Sequence, residues 1–377
     1  AVDAVAFEFI EVAGSCGGPG IWPHRWGISA QNGGEPYYTD DQAPDGTPIR
    51  VDGYIVQSAV DCGGVAIQGS GTIAHEYGHV LGLPDYYHPT ASGGAEGRRW
   101  VLGCWDLMAA GSWGCGPHGS AQAPFGPTHF SARTKYNLGW VSYLTVGDAW
   151  DEEVVLDPVA SSGQALRIPL DGVGREFLLL EYRTRTGFDV DIPADGVMIY
   201  HQDQEGSTRP QPGGGQPYFL SVVEQDDNQG LVRNTYEGGN RGEAGDAWGV
   251  EGAVQKFNAA TAPALLRHNG EASTVALHSI EVRDGRAHVR VSTGRIPRLV
   301  APGGPLEVSQ VASFERRIRV AGGTIPYVAE AELPQGVVAA TEGDELVLRG
   351  SVSSAGPFQL LLRVKDDRGL DSNQIQL

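Results

Sequence analysis

The stretch His75-Glu76-Tyr77-Gly78-His79-Val80-Leu81-Gly82-Leu83-Pro84-Asp85 constrains this chain more than any other. Histidines four residues apart on a helix stand on one face, one turn above the other. His75 and His79 can therefore bind one Zn²⁺ through ring nitrogens at about 2.0–2.1 Å. Glu76 sits one step round the helix, where its carboxylate reaches the open side of such a metal. There it can take a proton from bound water and later pass it to a leaving amine. The helix is expected from about Ser70 to Leu81. Gly82 accepts a left-handed backbone, so it can stop the helix and swing the chain back under the metal. Pro84 then keeps the helix from resuming. Asp85 falls where the longer pattern His-Glu-x-x-His-x-x-Gly-x-x-His has its last histidine. His75, His79 and Asp85 are thus the expected ligands. His88 is the alternative third ligand, and Glu96 would serve in a site of the glutamate type.

An exposed helical face that carries these residues by chance is the competing reading. The apolar neighbours Ile73, Ala74, Val80 and Leu81 argue instead for a buried helix. There, two unpaired histidines and a glutamate would be costly without a metal or partners. Further on, Cys104-Trp105-Asp106-Leu107-Met108-Ala109-Ala110-Gly111-Ser112-Trp113 holds one of only two methionines, the other being Met198. A methionine near tryptophans is commonly core filler. Its place after the zinc pattern makes Met108 the expected methionine of a tight turn beneath the metal.

With these segments on the page, the chain resembles the immune inhibitor A-type secreted metallopeptidases of the metzincin clan. The matching pieces are Ile21 to Trp26, His75 to Tyr86, Trp105 to Trp113, Pro127 to Ala132, Lys135 to Trp140, Glu176 to Gly187 and Gly196 to His201. Val80 departs from the pattern, standing where many relatives carry an acidic residue. The resemblance covers about the first two-thirds of the chain. It implies a secreted zinc endopeptidase made with a propeptide, acting on protein or peptide substrates. Ser131 to Leu138 reads as a short helix, with Ser131 as its N-terminal residue and Gly139 as its stop; the resemblance implies that this helix underlies the zinc site and that a β-rich part packs on the catalytic one. His201 falls on a histidine of the family motif. It could stabilise the oxyanion of a tetrahedral intermediate or simply bond within a sheet. His129 could contact substrate or orient a ligand, against a structural role. No tyrosine within the Met-turn is placed to hold the oxyanion, so that role is unassigned.

A chain of 377 residues is too long for one ordinary core. The expected fold class is α+β. A metzincin-like zinc peptidase domain would span 1–146, a β-rich subdomain 147–295 and an immunoglobulin-like β-sandwich 296–377. The formal net charge of −19 argues against nucleic acid or anionic membrane as partner. No apolar run has the length of a membrane span. No initiating methionine or signal-like stretch opens the sequence, so a mature form is expected, and the end at Leu377 within an apparent strand suggests truncation. The four cysteines, Cys16, Cys62, Cys104 and Cys115, surround the zinc pattern, and an even count suits two disulfides in a secreted or cell-surface protein. Of three pairings, Cys104–Cys115, which brackets Met108, and Cys16–Cys62 are favoured. A second metal site is the alternative, without the usual Cys-x-x-Cys spacing. A monomer is assumed.

Along the chain, Val5 to Val12 reads as a half- to fully-buried strand and Ile49 to Ser58 as another. Gln31 to Thr47 reads as a surface loop, in which Asp40, Asp41 and Asp45 are better taken as solvated acids than as calcium ligands. His24 lies in a segment too rich in Pro and Gly for a helix, and His118 in a loop. From Asp151 short apolar runs alternate with turns, and Asp284-Gly285 marks a hairpin. Asp189, Asp191, Asp226, Asp227 and Asp246 are candidates for calcium, which prefers several oxygens in flexible loops. None has the spacing of a helix-loop-helix calcium loop. Ile296 to Gly304 reads as a linker. Beyond it, strands are expected at Glu307–Val311, Arg317–Val320, Glu345–Leu348 and Phe358–Val364, as in a sandwich. Such modules space or tether a catalytic domain, and substrate or glycan binding is the alternative role. Two further functional readings compete with a zinc endopeptidase. One is a non-catalytic adhesion or binding protein that retains a peptidase-like domain. The other is a zinc hydrolase of non-peptide amides.

Overall fold

A computed structural model of the chain describes residues 4–89, 96–115, 127–170, 173–210, 216–250, 253–303 and 305–376. His118 lies outside the described residues. The chain divides into two compact units. The first joins Ala1–Ser142, Arg183–Glu224 and Asn228–Ala247; the second joins Tyr143–Tyr182, Gln225–Asp227 and Trp248–Leu377.

In the first unit, strands β1 (Val5–Phe9), β2 (His24–Gly27), β3 (Tyr37–Gln42), β4 (Pro48–Val51) and β5 (Gly53–Ser58) precede helix α1 (Ser70–Val80). β5 is central. It pairs in parallel with β1 on one edge and antiparallel with β2 on the other. Its residues Ile55 to Ser58 are buried. β1 is shorter than expected and is not a buried strand. It lies at the sheet edge, and Phe7 is 52% exposed. The expected strand Ile49 to Ser58 is two strands. Asp52 breaks it, turning aside so that its carboxylate accepts from the Ser29 backbone N–H at 2.8 Å and the Ser29 hydroxyl at 3.0 Å. The expected loop Gln31 to Thr47 contains β3, which pairs with β4 as a two-stranded ribbon.

α1 is buried on its polar side, not its apolar one. Gly71, Thr72, His75, Glu76 and Gly78 face inward, whereas Leu81 is 47% exposed. Two glycines let the helix backbone come close to the segment that carries Met108. A Cβ on Gly71 would stand 2.1 Å from the Ser112 carbonyl oxygen, and one on Gly78 2.5 Å from Met108 Sδ. The second helix, α2 (Ala132–Asn137), starts where expected, with Ser131 as its N-cap accepting from Thr134 N–H. Gly139, at φ 75°, follows its end. Strands Gly196–Asp203 and Leu220–Val222 pair antiparallel, with His201 opposite Ser221. Both favoured disulfides, Cys16–Cys62 and Cys104–Cys115, are formed.

The second unit is built from β-sheets. Gln164–Pro169 pairs with Glu176–Arg183. Gln255–Phe257, Ala276–Arg283, Arg286–Ser292 and Glu152–Leu156 form one antiparallel sheet in that order. Its hairpin turns at Asp284 and Gly285, both with positive φ (52° and 72°), as a two-residue connection of this hand requires. Further on, two sheets share one core. Arg298–Leu299, Phe314–Ala321, Glu345–Gly350 and Val337–Glu342 form the first, and Val328–Glu332, Leu361–Lys365 and Ile375–Gln376 the second. Leu299, Ile318, Leu346 and Leu348 meet Tyr327, Leu362, Val364 and Ile375 between them.

Two expectations fail here. Residues Glu307 to Val311 are not a strand; the chain bends at Val311, whose φ is 63°, and the Val311 N–H bonds to the Val352 carbonyl. Ile296 to Gly304 is not a free linker. Leu299 is 1% exposed, Asn373 bonds both its N–H and its carbonyl, and Arg298–Leu299 is a short strand, while Gly304 lies outside the described residues. Buried polar contacts also tie this region to the preceding sheet. His278 is bonded to Asp344 at 2.8 Å and to the Ser292 hydroxyl at 2.9 Å.

Gly71→Ala tests the close approach of α1. Alanine adds about 1 kcal/mol of helix propensity, but the rigid carbonyl 2.1 Å away cannot yield as a side chain would. A net loss of about 1–3 kcal/mol is expected in denaturant unfolding. An unchanged or raised midpoint would show that the approach is looser than described.

Candidate metal centre

The helix end builds the site. After α1, Gly82 takes φ 87°. Its N–H bonds to the His79 carbonyl at 3.1 Å, and the Leu83 N–H bonds to the Gly78 carbonyl at 3.1 Å. This paired closure is the Schellman arrangement, with buried Leu83 as its apolar contact. The turn sets two groups at once. The Leu83 carbonyl accepts from His79 Nδ1 at 2.8 Å, and the Asp85 carboxylate arrives beside both imidazoles. His75 Nε2 lies 3.1 Å and His79 Nε2 3.2 Å from Asp85 Oδ1.

His75 Nδ1 donates to the Leu107 carbonyl at 2.8 Å. A carbonyl can only accept, so Nδ1 carries the proton in both histidines and Nε2 is the free donor to a metal. Three ligand atoms, one from each residue, lie within 4.8 Å of one another. Ligands around a tetrahedral zinc with bonds of about 2.1 Å stand about 3.4 Å apart, close to the separations here. Two imidazoles and a carboxylate are a donor set that zinc accepts. The residues present therefore fit the ion that the sequence implies.

The charges are consistent with a cation site. Burial alone would raise the Asp85 carboxyl, but hydrogen bonds from His75 and His79, which Nε2 can give only when the rings are protonated there as well, outweigh it and hold the group well below the usual range; a cation between the three groups takes the place of those protons. Burial would lower His79, but Asp85 prevails and raises it. The other Asp85 oxygen accepts from Arg209 Nη2 at 2.8 Å. Glu76 is 7% exposed, and burial raises its carboxyl above the ordinary value. It lines a pocket with His75, Trp22, Tyr87, Arg98 and Trp100.

Beneath the histidines, Asp106 organises the turn. It is fully buried, and burial raises its carboxyl despite its hydrogen bonds. It accepts from Met108 N–H at 2.6 Å, Ser131 N–H at 2.9 Å and the Thr134 hydroxyl at 2.5 Å. Met108 itself is completely buried against Gly78. The Met108 carbonyl accepts from Tyr86 N–H at 2.8 Å, which pins the chain just after Asp85.

Other sequence candidates lie elsewhere. His88 pairs through its backbone with Arg99, and neither it nor Glu96 joins the donor cluster. His24 Nδ1 bonds to the Trp22 carbonyl at 2.7 Å, and its ring nitrogens do not join the donor cluster. His129 Nδ1 accepts from Phe130 N–H, and its ring faces Phe130, Trp140 and Phe188. His201 sits buried in its strand. Neither His129 nor His201 lines the pocket beside Glu76. The calcium candidates have several environments. Asp189 is buried, with its carboxylate engaged by Arg183 at 2.7 and 2.8 Å and by the His129 N–H at 2.9 Å. Asp191, Asp226 and Asp227 are exposed. Asp246 is buried and accepts from Trp105 Nε1 at 2.7 Å and Glu243 N–H at 2.9 Å.

Sequence reasoning missed Asp106, Arg209, Tyr87 and Arg98. Asp106 left a trace, a carboxylate within an apolar run. Arg209 left none, because it stands 124 positions from Asp85 and only folding joins them.

Residues 10–141 match the family described as immune inhibitor A peptidase M6, catalytic domain. The chain is 33% identical over 143 residues to the pre-pro-metalloprotease PrtV of Vibrio cholerae serotype O1, a match covering 36% of this chain and 13% of that protein. It is 30% identical over 151 residues to immune inhibitor A of Bacillus thuringiensis subsp. alesti, covering 38% of this chain and 18% of that one. No solved structure matches.

The Arg183–Asp189 pair supports the turn, since Arg183 also donates to the Trp105 carbonyl at 2.8 Å. Burial would raise Asp189, but Arg183 outweighs it and holds the carboxyl below its ordinary 3.8. A depressed carboxyl stabilises the fold above its unfolded pKa, and that stability is lost as pH falls through the folded value. Asp189→Asn removes the negative charge that two nitrogens of the fully buried Arg183 guanidinium face, so a loss of about 3–5 kcal/mol at neutral pH is expected. The variant's deficit should shrink as pH falls below 3.8. A pH-independent deficit in thermal unfolding would refute the assignment.

Proposed function

Residues 10–141 are an immune inhibitor A-type M6 peptidase catalytic domain, and from that premise we propose that the chain is a zinc-dependent endopeptidase that hydrolyses peptide bonds in proteins. The observation that carries the reading is the convergence of His75 and His79 Nε2 on Asp85, with both Nδ1 atoms tied to backbone carbonyls beside a buried Glu76. His75, His79 and Asp85 hold the zinc. The bound ion supplies a Lewis acid that polarises a carbonyl and acidifies water.

The chain's own groups do the rest. Glu76 accepts the proton of the attacking water and returns it to the leaving amine. Its buried position, which raises its proton affinity, suits a group that must do both. The Leu107 and Leu83 carbonyls fix the ring orientations. Arg209 holds the outer oxygen of Asp85 so that the inner one faces the histidines. The Met-turn keeps His75 in place through Leu107.

The finer architecture belongs to the same proposal. The catalytic domain spans 1–146, a β-rich subdomain 147–295, and an immunoglobulin-like sandwich 296–377; the core shared by two sheets supports the last of these. Two disulfides support an oxidising, extracellular location. Among the described residues no helix is long and apolar enough to cross a membrane.

The deciding measurement is casein cleavage by zinc-supplied wild type and Glu76→Ala. A loss of about 10²–10⁴-fold is expected, with zinc still bound one to one. His75→Ala should instead lose the metal. Equal cleavage by wild type and Glu76→Ala would remove Glu76 as the base, and no cleavage by either would sink the peptidase reading. Arg209→Ala should weaken zinc retention by about tenfold or more in competition with a chelator. Unaltered retention would show that its contact with Asp85 is incidental.

A further inference from the structure

The pocket beside Glu76 carries a second charge that the hydrolytic chemistry does not use. Its cavity is about 90 Å³, several times the roughly 10–15 Å³ that one water needs. It can therefore accept a small side chain. Three of its aromatic residues surround Arg98. The guanidinium carbon lies 5.7 Å from the Trp22 ring centre, 5.1 Å from that of Tyr87 and 5.4 Å from that of Trp100. Aromatic faces within about 6 Å attract a cation without neutralising it. They hold the guanidinium in one place and leave its charge available.

Among the described residues no carboxylate forms an ion pair with Arg98, whereas its neighbour Arg99 is paired with Glu237 at 2.9 Å. The segments 90–95 and 116–126 contain no Asp or Glu to supply one. In a chain with 46 acidic and 27 basic residues, a half-buried arginine that has no carboxylate among the described residues can take an anion from elsewhere. A planar guanidinium matches a carboxylate through two parallel hydrogen bonds, which gives orientation as well as attraction.

Resting on the peptidase reading, we propose that this pocket receives a carboxylate from the substrate residue that flanks the scissile bond, and that Arg98 is the specificity-determining group. The carboxylate has two sources, an Asp or Glu side chain or the free C-terminus of a peptide. Glu76 lines the same pocket and is the competing charge, so a lysine at the same substrate position is the natural counter-test.

The experiment uses the full chain with zinc supplied. Quenched peptides are built on a site that it cleaves in casein. Each residue flanking the cut is varied among Asp, Glu, Asn, Gln and Lys, and one peptide is made with free and with amidated C-terminus. The readout is the ratio of kcat/KM for acid over amide within one protein, which does not depend on how much of a variant is folded. Wild type should favour the acid by about tenfold or more. Arg98→Gln should collapse the ratio, Arg98→Lys should retain part of it, and Arg98→Glu should turn preference towards lysine. A preference confined to free over amidated ends would assign the terminal carboxylate as the source. An acid-to-amide ratio near one in wild type, a preference for lysine, or a ratio unchanged in Arg98→Gln would overturn the role of Arg98 while leaving the peptidase intact. If wild type cut no casein at all, the peptidase reading and this inference would fall together.

Discussion

The hydrogen bond from His75 Nδ1 to the Leu107 carbonyl joins the two segments on which the site depends. It fixes which nitrogen of His75 faces the metal position, and it can form only if α1 lies almost in contact with the turn at Asp106 to Ser112. Gly71 and Gly78 permit that contact by offering no side chain where Ser112 and Met108 stand. The same approach explains why the polar side of α1 is buried. The face that carries His75 and Glu76 is the face that meets the turn, so the functional groups are desolvated by the packing that positions them. Burying such groups would be a liability unless each found a partner, and each histidine has one at Nδ1.

The turn, in its place, is held by Asp106. A carboxylate with no exposure that accepts from Met108, Ser131 and Thr134 links the Met108 turn to the start of α2. Arg183 and Asp189 brace the same region through the Trp105 carbonyl. The residues that carry the proposed chemistry are thus few, and a larger group of buried polar residues gives them fixed positions. Polar networks of this kind are worth most when every member is satisfied, because a half-satisfied one costs more than an apolar core.

What could be read in the sequence follows from the range of the interactions. The end of α1 was legible because Gly82, Pro84 and Asp85 act within one turn. The hairpin at Asp284-Gly285 and the cap at Ser131 were legible for the same reason. The strand status of Glu307 to Val311 was not, since apolar alternation there is outweighed by a bend at Val311 that pairs with the distant Val352. Ile296 to Gly304 looked like a linker because Pro297, Pro302, Gly303 and Gly304 punctuate it, yet Leu299 is captured by Asn373, far along the chain. That α1 is buried was legible from its apolar neighbours, but which glycines bring it against the turn was not, because Gly71 and Gly78 act on the distant Ser112 and Met108.

Arg209 and Arg98 show the limit most clearly, because both are arginines in unremarkable surroundings by sequence. Each takes its meaning from what folding leaves beside it. Arg209 meets a carboxylate already shared by two histidines and so orients it. Arg98 meets three aromatic rings and, among the described residues, no carboxylate. The chemistry of the side chain is the same in both. One arginine is spent on the protein's own acid, and the other, among the described residues, is left without one. A motif records the residues that meet the metal, whereas selectivity rests on which charges the rest of the fold leaves unanswered.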